Sequence, residues 1–182
     1  MNYMKKIFLA IILLFSTNMS YAVDLNLSNQ NEALSDLAHM FYSEKKDPVY
    51  KFNTLNPKKL DYSIESLKLI DTYLSNVRMN DLNLISDNLK FKTILRTGAY
   101  VGETIRKNDK KRTWYWVDYE TAKEINPKLF KNLEYSIAIA AVLTDGENFI
   151  FPLNKVVKFL QNGEEDSVFF YAETTIQLKN SQ

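Results

Sequence analysis

Glu103 closes the run Gly98-Ala-Tyr-Val-Gly102-Glu103, in which two glycines four residues apart precede a carboxylate. A glutamate half-buried beside such a groove can have a raised pKa and serve as a general acid, as in glycoside hydrolysis. That reaction needs a second carboxylate about 5 to 10 Å away, and Asp118, Glu120 and Asp145, all near expected strand ends, are the candidates. A structural role competes for the same residue. Arg106 and Lys107 stand three and four positions on, within helical reach of an ion pair, and Lys155 is a further partner. Nothing in the spacing of the acids favours catalysis over the ion pair.

Other chemistries are limited by composition. The chain has one histidine, His39, and no cysteine, so neither a zinc site of several His or Cys ligands nor Cys-His catalysis can be assembled. His39 lies among Leu34, Leu37, Ala38 and Phe41 at helical spacing, and no nucleophile motif surrounds it. No metal or cofactor is expected. The best binding candidate is Arg106-Lys-Asn-Asp-Lys-Lys-Arg112 followed by Thr113-Trp-Tyr-Trp-Val-Asp-Tyr119. On a strand, Trp114, Trp116 and Asp118 project to one side and Tyr115, Val117 and Tyr119 to the other. If one side faces helices, the other can be exposed, and aromatics with Arg112 would suit a protein interface, a sugar or an anionic ligand. A covered sheet with a solvated loop is the competing reading.

These residues must be positioned by elements that the periodicity outlines. Helix is expected from Asn29 to Tyr42 with Ser28 as its cap, then a connecting segment marked by Asp47-Pro48 and Asn56-Pro57. A second helix starts at Ser63 and carries Ile64, Leu67, Ile70, Leu74 and Val77 on one face. Residues 80–87 read as loop. A third helix, 88–107, shows a stripe of Phe91, Ile94, Leu95, Gly98, Gly102 and Ile105. Glycine costs roughly 1 kcal/mol against alanine in a helix interior, so close approach of another backbone is the expected compensation. The alternating large and small residues of Ser136 to Leu143 make that segment the expected neighbour, as a strand.

Strands are also expected at Thr113–Tyr119 and Glu147–Pro152, the latter after the hairpin signal Asp145-Gly146. Between the first two strands lies a helical turn broken at Pro127. A short helix follows Pro152 with Val156, Val157 and Leu160 inward and Gly163 at its stop. The last segment, Glu164 onward, reads as helix with three acids at its start, although its Val, Phe, Tyr and Thr content also suits a strand. The expected class is α+β: N-terminal helices packed on a three-stranded antiparallel meander, closed by one or two C-terminal helices.

The first 22 residues carry Lys5 and Lys6, an apolar run from Ile7 to Phe15, and Ser20-Tyr21-Ala22, the pattern of a secretory signal peptide cleaved after Ala22. The run is shorter than the roughly 20 residues of a spanning helix, so no membrane span remains after cleavage. Residues 23–182 are then expected as one domain in the periplasm or outside the cell. Losing two lysines and no acid takes the formal charge from +1 to −1, which implies no nucleic acid.

The positions Gly98, Tyr100, Gly102, Glu103, Trp114, Phe151, Pro152, Lys155, Val156, Gly163 and Glu164 resemble the pattern Gly-x-aromatic-x-Gly-Glu, Trp, Phe-Pro, Lys-Val, Gly-Glu-Glu of small bacterial domains of unknown function. The resemblance spans Leu89 to Phe170. It implies an α+β fold and brings no activity. Two functions are expected from all this: a periplasmic non-catalytic binding protein with a protein partner, such as an immunity factor against a toxin or an envelope accessory factor; or a glycan-binding or glycan-cleaving enzyme using Glu103 with Asp118 or Asp145.

Overall fold

The computed structural model describes residues 27–177, the side chain of Met79 excepted. The expected signal peptide, 1–22, lies outside the described residues. The described chain is mostly helical, with one three-stranded antiparallel sheet, an α+β architecture.

Helix α1 covers residues 27–43. Ser28 therefore sits inside the helix, and the cap expected of it is not made. The connecting segment contains two short 3-10 turns, Phe52–Thr54 and Pro57–Lys59. Ser63 does start the next helical unit: its side chain accepts a hydrogen bond from the Ser66 N–H, closing a 3-10 turn at Ile64–Ser66 that leads into α2, Leu67–Asn76. Leu67, Ile70, Leu74 and Val77 are buried as their spacing requires. The segment read as loop contains a short helix, α3 (Met79–Leu82).

The central element is α4, Asp87–Asn108. Ser86 caps it by accepting from the Leu89 N–H, Asp87 lies in its first turn and Arg106 and Lys107 in its last, each sign matching the helix dipole. From Thr93 to Ile105 only Leu95 escapes full burial, so the helix is covered all round rather than on one stripe. Its buried Thr93, Thr97 and Thr104 hydroxyls donate to carbonyls one turn back, which removes their desolvation cost. Phe91 was expected on the buried stripe but is exposed, because the cover begins only at Thr93.

The glycines do mark close approach, but to a different neighbour from the expected one. A Cβ on Gly98 would come within 2.9 Å of Leu153 Cα, and one on Gly102 would meet the Trp116 indole and, at 3.1 Å, Pro152 Cγ. The groove therefore receives the first turn of α7 (Pro152–Asn162) and a tryptophan, not the Ser136–Leu143 segment. That segment is a strand only in its second half: residues Ile137–Ile139 form a 3-10 turn packed on α7, and strand β2 is Ala141–Thr144.

Strand β1, Tyr115–Asp118, pairs antiparallel with β2 in the register Trp116↔Leu143 and Val117↔Val142. The two-residue β3, Phe149–Ile150, returns from the Asp145-Gly146 turn, where Asp145 Oδ1 accepts from the backbone N–H groups of Glu147 and Asn148. Between β1 and β2 run α5 (Tyr119–Ile125) and α6 (Pro127–Phe130), separated before Pro127 as its missing N–H demands. After α7, Gly163 ends the helix at φ +98. The three acids Glu164–Asp166 form a 3-10 turn, and α8 (Val168–Gln177) is a helix.

The sheet is covered on both sides. Trp116, Ala141 and Leu143 face the main core around α4 and α7, whereas Val117 and Val142 join Tyr119, Ala122, Phe130 and Ile139 in a second cluster beneath α5 and α6. No helix among the described residues is long and apolar enough to cross a membrane.

Candidate functional site

Glu103 is fully buried in the penultimate turn of α4, where it accepts from Arg106 through Nε at 2.7 Å and Nη2 at 3.2 Å. The Trp116 indole N–H donates to the same carboxylate at 2.9 Å. One turn and a half further on, the pattern recurs. Asp109 Oδ2 accepts from Arg112 Nε at 2.8 Å and from Trp114 Nε1 at 2.9 Å, while Oδ1 accepts from the Lys111 and Arg112 N–H groups. Each acid thus holds the arginine three residues on and one tryptophan, Trp116 in β1 for Glu103 and Trp114 just before β1 for Asp109. We call these two units clasps. Burial pushes the Asp109 carboxyl up, but the hydrogen bonds from Trp114, Lys111 and Arg112 outweigh it and hold the group below its ordinary value.

The clasps explain where the expected binding residues went. Trp114 and Trp116 are almost completely buried, contrary to the exposed aromatic strip considered from the sequence. Both enter the main core, Trp116 from β1 and Trp114 from the residue before it; what alternation does not say is that they meet two buried carboxylates there. Arg112 is likewise spent: its guanidinium lies 4.9 Å from the Trp114 ring, and Nη2 donates to the Thr175 carbonyl of α8. On the opposite side Tyr119 is buried with its hydroxyl on the Leu133 carbonyl, so only Tyr115 remains exposed. Nor is the outer edge of β1 open to strand addition. Asn31 Oδ1 and Gln30 Oε1 of α1 accept from the Trp116 and Asp118 N–H groups at 3.0 and 2.9 Å.

The acids proposed as partners of Glu103 have other work. Asp118 caps α5 by accepting from the Thr121 N–H, and Asp145 holds the hairpin turn. Burial raises the Asp145 carboxyl, and the hydrogen bonds from Asn148 and Glu147 reverse the shift to leave it lowered. Lys155 pairs with Asp166 at 2.7 Å rather than with Glu103. Glu103 is fully buried, with two hydrogen bonds on Oε1 and one on Oε2, so its carboxylate is covered by the protein rather than set in an open cleft. His39 is exposed on α1, its Nδ1 3.2 Å from Ser43 Oγ; the hydroxyl also donates to the His39 carbonyl at 2.9 Å, an ordinary contact one helical turn away. Among the described residues no group of three or more His, Asp or Glu could hold a metal ion.

What sequence reasoning missed is an exposed apolar surface. Ile125 and Leu129 on α5 and α6, and Leu133 and Tyr135 in the connection that follows toward β2, are each partly exposed, Tyr135 to two-thirds. The signal is present as apolar residues out of register with the buried Tyr119, Ala122 and Phe130, in the segment the sequence marks as a helical turn broken at Pro127. No family model, curated protein or solved structure matches this chain.

Proposed function

We propose that this chain is an exported, non-catalytic binding protein whose partner is another protein, in the manner of an immunity or envelope accessory factor. The observation that carries the reading is the concentration of Ile125, Leu129, Leu133 and Tyr135 on one exposed excursion. Fully burying one such side chain contributes about 1.5 to 3 kcal/mol; these four are 37 to 66 % exposed, so covering them would recover a part of that for each, which favours a surface that is covered in use. Along the sequence they are interleaved with Glu120, Lys123, Glu124, Lys128, Lys131 and Glu134, a mixture of apolar and charged groups suited to a protein interface. The burial of Glu103, Asp109 and both tryptophans supports the same reading, since the groups best able to do chemistry are engaged in holding α4 to β1.

The test is photo-crosslinking in intact cells, with a benzophenone amino acid placed in turn at Leu129, Tyr135, Leu84 and Phe170 of the full chain. Leu84 and Phe170 are also well exposed and serve as controls away from the excursion. Adducts of one discrete mass from 129 and 135, absent from 84 and 170 and lost when Leu133→Glu is added, are expected. Equal labelling at all four positions would leave the excursion without a special role. Fractionation of the same cells tests export: the mature chain should be found in the periplasmic fraction or in the medium.

A further inference from the structure

Beside the Glu103 clasp, where the start of α1 meets the end of α4 and the approach to β1, lies a cavity of about 540 Å³ lined by Leu27, Ser28, Asn31, Arg106, Thr113 and Tyr115. That volume falls within the roughly 300 to 1,000 Å³ of small-molecule sites. Arg106 is part of the wall itself: its side chain is 30 % exposed, whereas the Glu103 it pairs with is fully covered. Glu103 takes the guanidinium by one edge, through Nε and Nη2. Nη1 makes no hydrogen bond among the described residues, so one donor group remains for whatever enters the cavity. Because a buried carboxylate already fixes the rotamer, a ligand that uses Nη1 does not have to order the side chain.

The rest of the wall has a consistent chemistry. The Ser28 and Thr113 side chains are exposed, and neither hydroxyl makes a hydrogen bond among the described residues. Asn31 is mostly engaged, with Oδ1 on the Trp116 N–H and one Nδ2 hydrogen on the Leu27 carbonyl, which leaves its second amide hydrogen. Tyr115, 41 % exposed, and Leu27 supply an aromatic and an aliphatic surface. The surrounding charge favours an anion. Arg106, Lys107, Lys110, Lys111 and Arg112 stand against only Glu103 and Asp109, and of these cations Lys110 and Lys111 have no carboxylate partner among the described residues.

We infer that this cavity binds a sugar acid, a pyranose ring carrying a carboxylate. The carboxylate lies on Arg106 Nη1, a charge-assisted contact; ring hydroxyls meet Ser28 and Thr113, which can donate or accept; and the C–H face of the ring covers Tyr115. The sugar is held and not cleaved, because the only acid at hand, Glu103, is covered by Arg106 and Trp116. The site uses none of the residues of the α5–α6 surface, so it stands or falls apart from the protein-partner reading.

The experiment is a chemical-shift titration of the ¹⁵N-labelled protein with methyl glucuronide and methyl galacturonide, and with methyl glucoside and acetate as the ring without the charge and the charge without the ring. Saturable shifts of the Ser28, Thr113 and Tyr115 amides with a Kd of about 1 mM or tighter are expected for at least one uronide. Glucoside and acetate should each bind at least about tenfold more weakly. Arg106→Lys, which keeps a cation for Glu103 but loses the free donor edge, should weaken uronide binding roughly tenfold. Tyr115→Ala, at an exposed strand position whose loss leaves the core intact, should weaken it about threefold or more. No saturation with either uronide, equal binding of glucoside or of acetate, or unchanged affinity in Tyr115→Ala would each overturn the proposal.

Discussion

Gly102→Ala is the sharpest test of how α4 is joined to the sheet. Alanine is the better helix former by roughly 1 kcal/mol, so in an uncrowded helix the change would stabilise the protein. Here the new Cβ would fall under 3.0 Å from two carbons of the six-membered ring of Trp116 and 3.1 Å from Pro152 Cγ. To restore ordinary contact the indole must withdraw by roughly 1 Å, where dispersion turns to repulsion steeply. It has little room, since Trp116 is fully buried and its N–H is held by Glu103 at 2.9 Å. Overpacking of this kind costs about 1 to 3 kcal/mol, and loosening a hydrogen bond to a charged acceptor adds about 1.5 to 3. Against the propensity gain of roughly 1, a net loss of about 1.5 to 5 kcal/mol follows, a large share of the 5 to 15 kcal/mol typical of a domain. Urea unfolding of the protein, followed by far-ultraviolet circular dichroism, measures it. The double variant with Trp116→Phe supplies the decisive sign. Phenylalanine lacks the carbons that collide, so Gly102→Ala should cost less in that background than in the parent. A parent-background Gly102→Ala at least as stable as wild type, or a cycle with no coupling, would refute the packing argument.

Two other outcomes follow from the same structure. Because the Asp109 carboxyl is held below its ordinary value, its contribution is fully present above the unfolded-state value of about 3.9 and is lost as pH falls through the folded one. Asp109→Asn should therefore be less stable than wild type at pH 7, with the gap closing in unfolding experiments below about pH 4. Gly163→Ala should cost about 1 to 3 kcal/mol in the same urea assay, because at φ +98 and ψ −146 the backbone is in a region nearly closed to L side chains. Arg78, whose Nη1 would lie 2.6 Å from the new Cβ, is flexible enough to move aside, so strain rather than collision sets that figure.

Much of the fold was legible because local signals agreed. In α2 the apolar stripe and the Ser63 cap coincide, in α7 the stripe ends on Gly163, and Asp145-Gly146 sits where a hairpin must turn. Legibility failed where the same pattern admits two surroundings. Large–small alternation in Ser136–Leu143 suits a strand, yet its first half packs as a 3-10 turn on α7. Phe91 is in register with Ile94 and Ile105 but lies two residues before the cover begins at Thr93. The Glu103–Arg106 pair could be read from helical spacing; the Trp116 hydrogen bond could not, since it depends on how the chain returns after Asp109.

The amino-acid sequence by itself determined the α+β class, the exclusion of thiol and multi-histidine chemistry, the two-sidedness of β1 and the need for something to lie close over Gly98 and Gly102. These are properties of composition and of a repeat along one chain direction. Only the tertiary structure decided what covers each side: that both tryptophans turn inward onto carboxylates, that Arg112 is spent on the core, and that the α5–α6 excursion keeps an apolar surface in water. Periodicity assigns a side chain to a face, but its exposure is set by the element laid across that face, and that element comes from elsewhere in the chain.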